Sequence, residues 1–215
     1  MIKAIIFDLD GVIINSEPIH FKASQKALRD FGIKITLEDY LQFGVSMGKL
    51  FFYEKVSEKY RVKLNKTAVF RRKNDYFRKM FDEVKLRNGI RDLLDKTYRR
   101  FTLAICSSGA RVNLDLSLKK FDLEKYFKVI VSGDEVKRVK PYPDIYLKAV
   151  SRLGCKKKEC IAIEDSHPGI VSAKKAGITC LAIPNKFTAK QDFSLADRVF
   201  KDMKTLSNNL LNFIE

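Results

Sequence analysis

Asp8 and Asp10 stand two residues apart at the end of a short apolar run, residues 1–7, with Gly11 directly behind them. On an extended backbone residues i and i+2 point to the same side, so both carboxylates can reach one ligand. One acid of such a pair can attack while the other handles the proton, and both sit close enough to a metal for its charge to matter. On this segment alone, a turn and a catalytic site fit the pattern equally well. Glu164 and Asp165 form a second acidic pair, again directly after an apolar run. Ser107, Ser108 and Gly109 close a third run, residues 101–106; small hydroxyl residues at a strand-to-helix junction suit an anion, and equally a simple helix cap. Lys140 lies between Val139 and Pro141, in a loop stiffened by Pro141 and Pro143 ahead of a helical pattern. In chain order these residues supply a nucleophile, an acid/base, a phosphate anchor, a charge neutraliser and metal ligands. That is the requirement list for phosphoryl transfer through a carboxylate.

The elements that must carry them follow from the apolar pattern. Short Ile-rich runs bounded by acids, Ser or Gly read as buried parallel strands, and acids just past their carboxyl ends lie where open α/β sheets build sites. A further run, residues 179–183, fits the same reading. Between residues 15 and 84 the pattern changes: segments 20–31, 37–43, 50–60 and 67–81 carry apolar residues at mostly helical spacing, and strand signals return near Phe101. The length of 215 residues fits one catalytic domain with an insertion. The expected architecture is α/β: a Rossmann-like, doubly wound parallel sheet core formed by residues 1–14 and 85–215, with an inserted α-helical cap at 15–84. Crossings near residues 14–16 and 84–88 are the expected hinges.

The ordered set resembles the haloacid dehalogenase-like (HAD) superfamily of hydrolases over residues 1–200, nearly the whole chain. The family's strand followed by Asp-x-Asp-Gly matches Phe7-Asp8-Leu9-Asp10-Gly11; its Ser or Thr after a strand falls on Ser107; its Lys followed by Pro is Lys140-Pro141; its paired acids are Glu164-Asp165, with Gly169 and Gly177 downstream. The resemblance implies that Asp8 is the nucleophile, giving an aspartyl phosphate, and that Asp10 is the general acid and base. It implies Mg²⁺ as cofactor, held by Asp8, the Asp10 carbonyl and Asp165, with Glu164 binding directly or through a metal-bound water. Ser107 and Ser108 would hold phosphate oxygens, and Lys140 would offset charge. The dehalogenases lack the second Asp and phosphonate-cleaving members replace it, so Asp10 implies a phosphate ester as substrate.

The helical insert resembles the small cap of one subclass, which closes over the site, excludes water and selects the leaving group. Residues 16–20 are similar to the start of the cap in sugar-phosphate phosphatases and in β-phosphoglucomutase. His20 then either aids proton handling or packs the hinge, and Lys79 either contacts a sugar or distal phosphate or lies on a solvated face. Met47 stands where the mutase has a phosphate-gripping arginine, which favours a phosphatase acting on a small sugar phosphate over a phosphosugar mutase.

Composition sets outer limits. A net charge of +16 draws anionic metabolites, and the 42 Lys and Arg residues are dispersed through the sequence with no nucleic-acid motif, so polynucleotide binding ranks below a small phosphorylated partner. The four cysteines show no metal or disulfide spacing and point to a reducing compartment. The first apolar run is too short to span a membrane and lacks a secretory cleavage pattern; a cytoplasmic monomer without membrane contact is expected.

Overall fold

Strands covered on both faces need apolar residues at every position, and in the computed structural model the apolar runs pair into one sheet. The structure describes residues 1–45 and 50–214; Met47 lies outside them. In chain order the elements are β1 (Ala4–Phe7), β2 (Ile14–Asn15), α1 (Glu17–Arg29), α2 (Leu37–Phe43), α3 (Phe51–Tyr60), α4 (Lys66–Lys79), β3 (Lys85–Leu86), α5 (Ile90–Thr97), β4 (Thr102–Ser107) and α6 (Arg111–Lys120). They continue with β5 (Phe127–Ser132), α7 (Asp144–Leu153), β6 (Cys160–Glu164), α8 (His167–Lys175), β7 (Thr179–Ala182), β8 (Arg198–Val199) and α9 (Met203–Ile214).

Six strands form a parallel sheet in the order β5-β4-β1-β6-β7-β8. Succession runs outward from β1 to β4 and β5, then returns across β1 to β6, β7 and β8. This reversal opens a crevice at the carboxyl ends of β1, β4 and β6, the general ligand position in open α/β sheets. The two faces of the sheet differ in side-chain size. One presents Ala4, Ile6, Ala104, Cys106, Cys160, Ala162, Cys180 and Ala182, packed in one buried cluster with Ile145, Tyr146 and Ala149 of α7 and Ile170 and Ala173 of α8. Strand alternation turns Ile5, Phe7, Leu103, Ile105, Ile161, Ile163 and Leu181 to the other face, all buried. Three of the four cysteines thus serve as small core residues, and burial pushes the Cys106 thiol up, away from reactivity.

The chain divides into two compact units, Met1–Ile14 with Leu86–Glu215, and Asn15–Lys85. The second is helical. Within it α1 packs on α4, and α3 on both α2 and α4. α1 begins at Glu17, three residues before the apolar spacing starts, because Pro18 fits the first turn and Glu17 favours its positive end. α4 stops at Lys79, and residues 81–83 tighten into a 3₁₀ turn instead of extending the helix.

Asp39 is the polar centre of this helical unit. It is buried, it completes a capping box with Thr36 at the start of α2, and it accepts bonds from Lys59 and from the Tyr60 hydroxyl at 2.7 Å. Burial opposes its charge, but the bonds from Lys59, Thr36 and Tyr60 outweigh that and hold the carboxyl well below 3.8. A depressed carboxyl contributes stability that is present above its unfolded value and is lost as pH falls toward the folded one. Asp39→Ala is expected to lower the unfolding free energy at pH 7 by about 2 kcal/mol. In urea titrations the gap between wild type and variant narrows below about pH 4; a gap that stays constant into acid contradicts the assignment.

Candidate active site

The ladder of β1 runs one residue past the strand: the Asp8 N–H donates to the Ile163 carbonyl of β6 at 3.0 Å, which fixes the Asp8 side chain at the mouth of the crevice. Gly11 turns the chain back at φ +89°, and its N–H donates to the Ile14 carbonyl at 2.7 Å. A Cβ at Gly11 would sit 2.0 Å from Oδ2 of Asp165, so glycine is needed both for the backbone and for the approach of that carboxylate.

Lys140 joins the ends of three strands. Its Nζ lies 2.5 Å from Asp8 Oδ1, 2.6 Å from Glu164 Oε1 and 2.8 Å from the Cys106 carbonyl, so all three ammonium hydrogens have acceptors. Its side chain is 7% exposed and that of Glu164 is fully buried. Lys140 stands in the irregular segment between β5 and α7, ahead of a cis peptide bond to Pro141. The Tyr146 hydroxyl of α7 donates to Glu164 Oε1 at 2.5 Å, while Glu164 Oε2 is buried with no hydrogen-bond partner among the described residues. Gly169 leaves room for this carboxylate, since a Cβ there would fall 2.0 Å from Oε2.

Asp8, Glu164 and Asp165 offer carboxylate oxygens that lie within 4.8 Å of one another, all on buried residues. Burial first, and the Glu164 and Asp10 charges with it, push the Asp8 carboxyl up from 3.8 to about 8 against the pull of Lys140. Burial also works against charge on Lys140, but Asp8 and Glu164 outweigh it and raise that ammonium above 10.5. Hard oxygen donors crowded in this way, with one buried oxygen left without a partner, suit a divalent cation such as Mg²⁺.

On the β4 side the Ser107 hydroxyl donates to Asp10 Oδ2 at 3.4 Å and accepts from the Gly109 N–H at 3.1 Å. Ser108 Oγ is buried and has no hydrogen-bond partner among the described residues. This turn lies over the end of β5, where the Gly133 N–H donates to the Gly109 carbonyl at 2.9 Å. A Cβ at Gly133 would be 2.3 Å from the Ser108 carbonyl oxygen, so side-chain-free backbone is required there too.

Asp8, Asp10, Ser107, Ser108, Lys140, Glu164 and Asp165 therefore all belong to the sheet-bearing unit, at the carboxyl ends of β1, β4 and β6 and the loop before α7. His20 and Lys79 belong to the helical unit. There His20 stacks on Phe77 with centroids 4.1 Å apart, and Lys73 Nζ lies 2.9 Å from its Nδ1. Lys79 is exposed at the last position of α4. Sequence reasoning missed Tyr146, Gly133, Arg87 and Asn185. Besides Tyr146 on Glu164, Arg87 Nη1 donates to the Gly11 carbonyl at 2.6 Å, and Asn185 Nδ2 donates to Asp165 Oδ2 at 2.6 Å. Only the Pro184-Asn185 pair just after β7 offered a local signal, a turn at a strand end.

The family profile described as "Haloacid dehalogenase-like hydrolase" matches residues 5–183. The Bacillus subtilis protein YhcW is 31% identical over 212 residues, covering 98% of this chain and 96% of that one. The "Phosphorylated carbohydrates phosphatase" of Thermotoga maritima is 33% identical over 178 residues, covering 82% of each. Among solved structures, CbbY from Rhodobacter sphaeroides in complex with phosphate superposes with a TM-score of 0.83 at 29% identity, covering 96% of each chain. A variant of the same protein in complex with xylulose-(1,5)bisphosphate gives 0.83 at 28% identity. Most of this chain thus shares both the sequence pattern and the fold of these relatives, and it belongs to the haloacid dehalogenase-like hydrolase family.

Proposed function

We propose that this hydrolase is a Mg²⁺-dependent phosphatase that cleaves a small phosphomonoester, a sugar phosphate, through an aspartyl-phosphate intermediate on Asp8. The observation that carries the reading is the buried cluster of Asp8, Glu164 and Asp165 beside Lys140, with Asp10 bonded to Ser107 at its edge. Two relatives support the carbohydrate: one is named a phosphatase of phosphorylated carbohydrates, and another was crystallised with a pentose bisphosphate.

Asp8, Asp165 and the Asp10 carbonyl would hold the ion, with the unpartnered Oε2 of Glu164 as a further ligand or as acceptor for an ion-bound water. When bound, Mg²⁺ supplies positive charge against the phosphoryl oxygens. An oxygen of Asp8 attacks phosphorus; the bond from phosphorus to the alcohol oxygen breaks, and Asp10 gives that oxygen its proton. In the second half Asp10, now a carboxylate, takes a proton from water as that water attacks phosphorus, and the bond to Asp8 breaks. Lys140 balances charge on Asp8 and on the transferring group, while Ser107 and Ser108 donate to non-bridging oxygens. A buried hydroxyl without a partner, as at Ser108, is costly unless an acceptor arrives, which suits a phosphate oxygen. The helical unit would serve as the cap, in which His20 is held by Lys73 and Phe77. The net charge of +16 assists capture of the anion.

Phosphate release from a panel of sugar phosphates with Mg²⁺ tests the activity. Asp8→Asn is expected to cut kcat at least about a thousandfold, and Asp10→Asn by about 10²–10⁴-fold. Conversion of glucose 1-phosphate to glucose 6-phosphate with little free phosphate would make the protein a mutase instead. Because the ion-free Asp8 carboxyl is raised to about 8, cation binding must expel its proton below that pH. Apparent Mg²⁺ affinity should therefore fall by up to about tenfold per unit from pH 8 to 6 and level off above 8. Calorimetry in buffers of different ionisation enthalpy should record the released proton; a pH-independent affinity contradicts the assignment.

A further inference from the structure

Asp165 is met by a side chain that lies in none of the sequence motifs. Asn185 Nδ2 donates to Asp165 Oδ2 at 2.6 Å. The amide is locked in that orientation. Its Oδ1 accepts from the Phe187 N–H at 2.8 Å, so Nδ2 has to face Asp165. Its own N–H donates to Thr188 Oγ1 at 3.0 Å, and its carbonyl accepts from the Ala189 N–H at 2.8 Å. Arg87 closes the arrangement from the other side. Its Nη1 holds the Gly11 carbonyl at 2.6 Å and its Nη2 the Pro184 carbonyl at 3.4 Å, tying the Gly11 turn to the residue before Asn185. Asp165 Oδ2 is thereby held between Asn185 Nδ2 and the bare Cα of Gly11.

We propose that Asn185 is a positioning residue for the cation site: by bonding Oδ2 it fixes the rotation of the Asp165 carboxylate toward Asp8 and Glu164, and so sets divalent-cation affinity. The inference rests on reading Asp8, Glu164 and Asp165 as the metal cluster. A neutral amide is the right chemistry for this task. It fixes the carboxylate's rotation without adding a charge to compete with the cation, and outer partners of metal ligands typically govern affinity by about 10–100-fold.

The test measures Mg²⁺ and Mn²⁺ binding to the full chain by titration calorimetry without substrate. Asn185→Ala is expected to weaken both ions by tenfold or more. Thr188→Val removes the loop's own bond to the Asn185 N–H but leaves the Nδ2 donor, and is expected to bind within about twofold of wild type. The Asn185→Ala loss in phosphate release should be recovered at saturating Mg²⁺, as a defect of ion capture predicts. Equal losses in both variants would mean that the loop matters only as structure and would overturn the proposal, as would wild-type affinity in Asn185→Ala. Asp165→Asn separates the two readings. If it loses binding while Asn185→Ala does not, only the positioning role fails; if it binds as wild type does, the cluster is not the metal site and both fail.

Discussion

Lys140 places one positive charge between Asp8 and Glu164 in a space from which water is almost excluded. Taking an ammonium and a carboxylate out of water is costly, and it is tolerated only when each is paired and hydrogen-bonded. Here the ammonium spends every hydrogen, on Asp8 at the end of β1, Glu164 at the end of β6 and the Cys106 carbonyl of β4. The three strands and the loop before α7 must therefore meet in one register for the interior to be satisfied. Tyr146 adds a fourth element, since its hydroxyl reaches the same Glu164 oxygen from α7.

Burial, with the charges on Glu164 and Asp10, drives the Asp8 carboxyl up to about 8 against the pull of Lys140. Crowding these acids together is costly on its own. Glycines make the crowding sterically possible: Gly11 under Asp165, Gly169 under Glu164 and Gly133 under the Ser108 carbonyl each leave a gap that a methyl group would fill.

Packing behind the site follows the same economy of space. The sheet face under α7 and α8 is built from Ala and Cys with few larger residues, which lets those helices sit close and brings Tyr146 within reach of Glu164. The opposite face carries Ile, Leu and Phe. In the helical unit, Asp39 plays a comparable organising part by gathering Lys59, Tyr60 and the first turn of α2 around one buried carboxylate.

The strand-end acids, the Ser-Ser-Gly turn, the Lys-Pro loop and the four helical segments of the insert were legible from local pattern. Burial on both sheet faces writes continuous apolar runs, amphipathic helices write a 3.6-residue period, and a site at strand ends leaves acids just beyond each run. By itself, then, the sequence determined the α/β class, the order of the elements and the residue types available for phosphoryl chemistry. It did not determine which of those residues touch. Lys140 meets Asp8 across 132 positions of chain, and Asn185 meets Asp165 across 20, through side chains whose neighbours along the sequence say nothing of the partner. The same holds for His20, which lies against Lys73 and Phe77 while Lys79 ends its helix in solvent. Only the tertiary structure decided these pairings, because a contact between distant residues is set by sheet order, register and the space that glycines leave open, none of which is a local property of the chain.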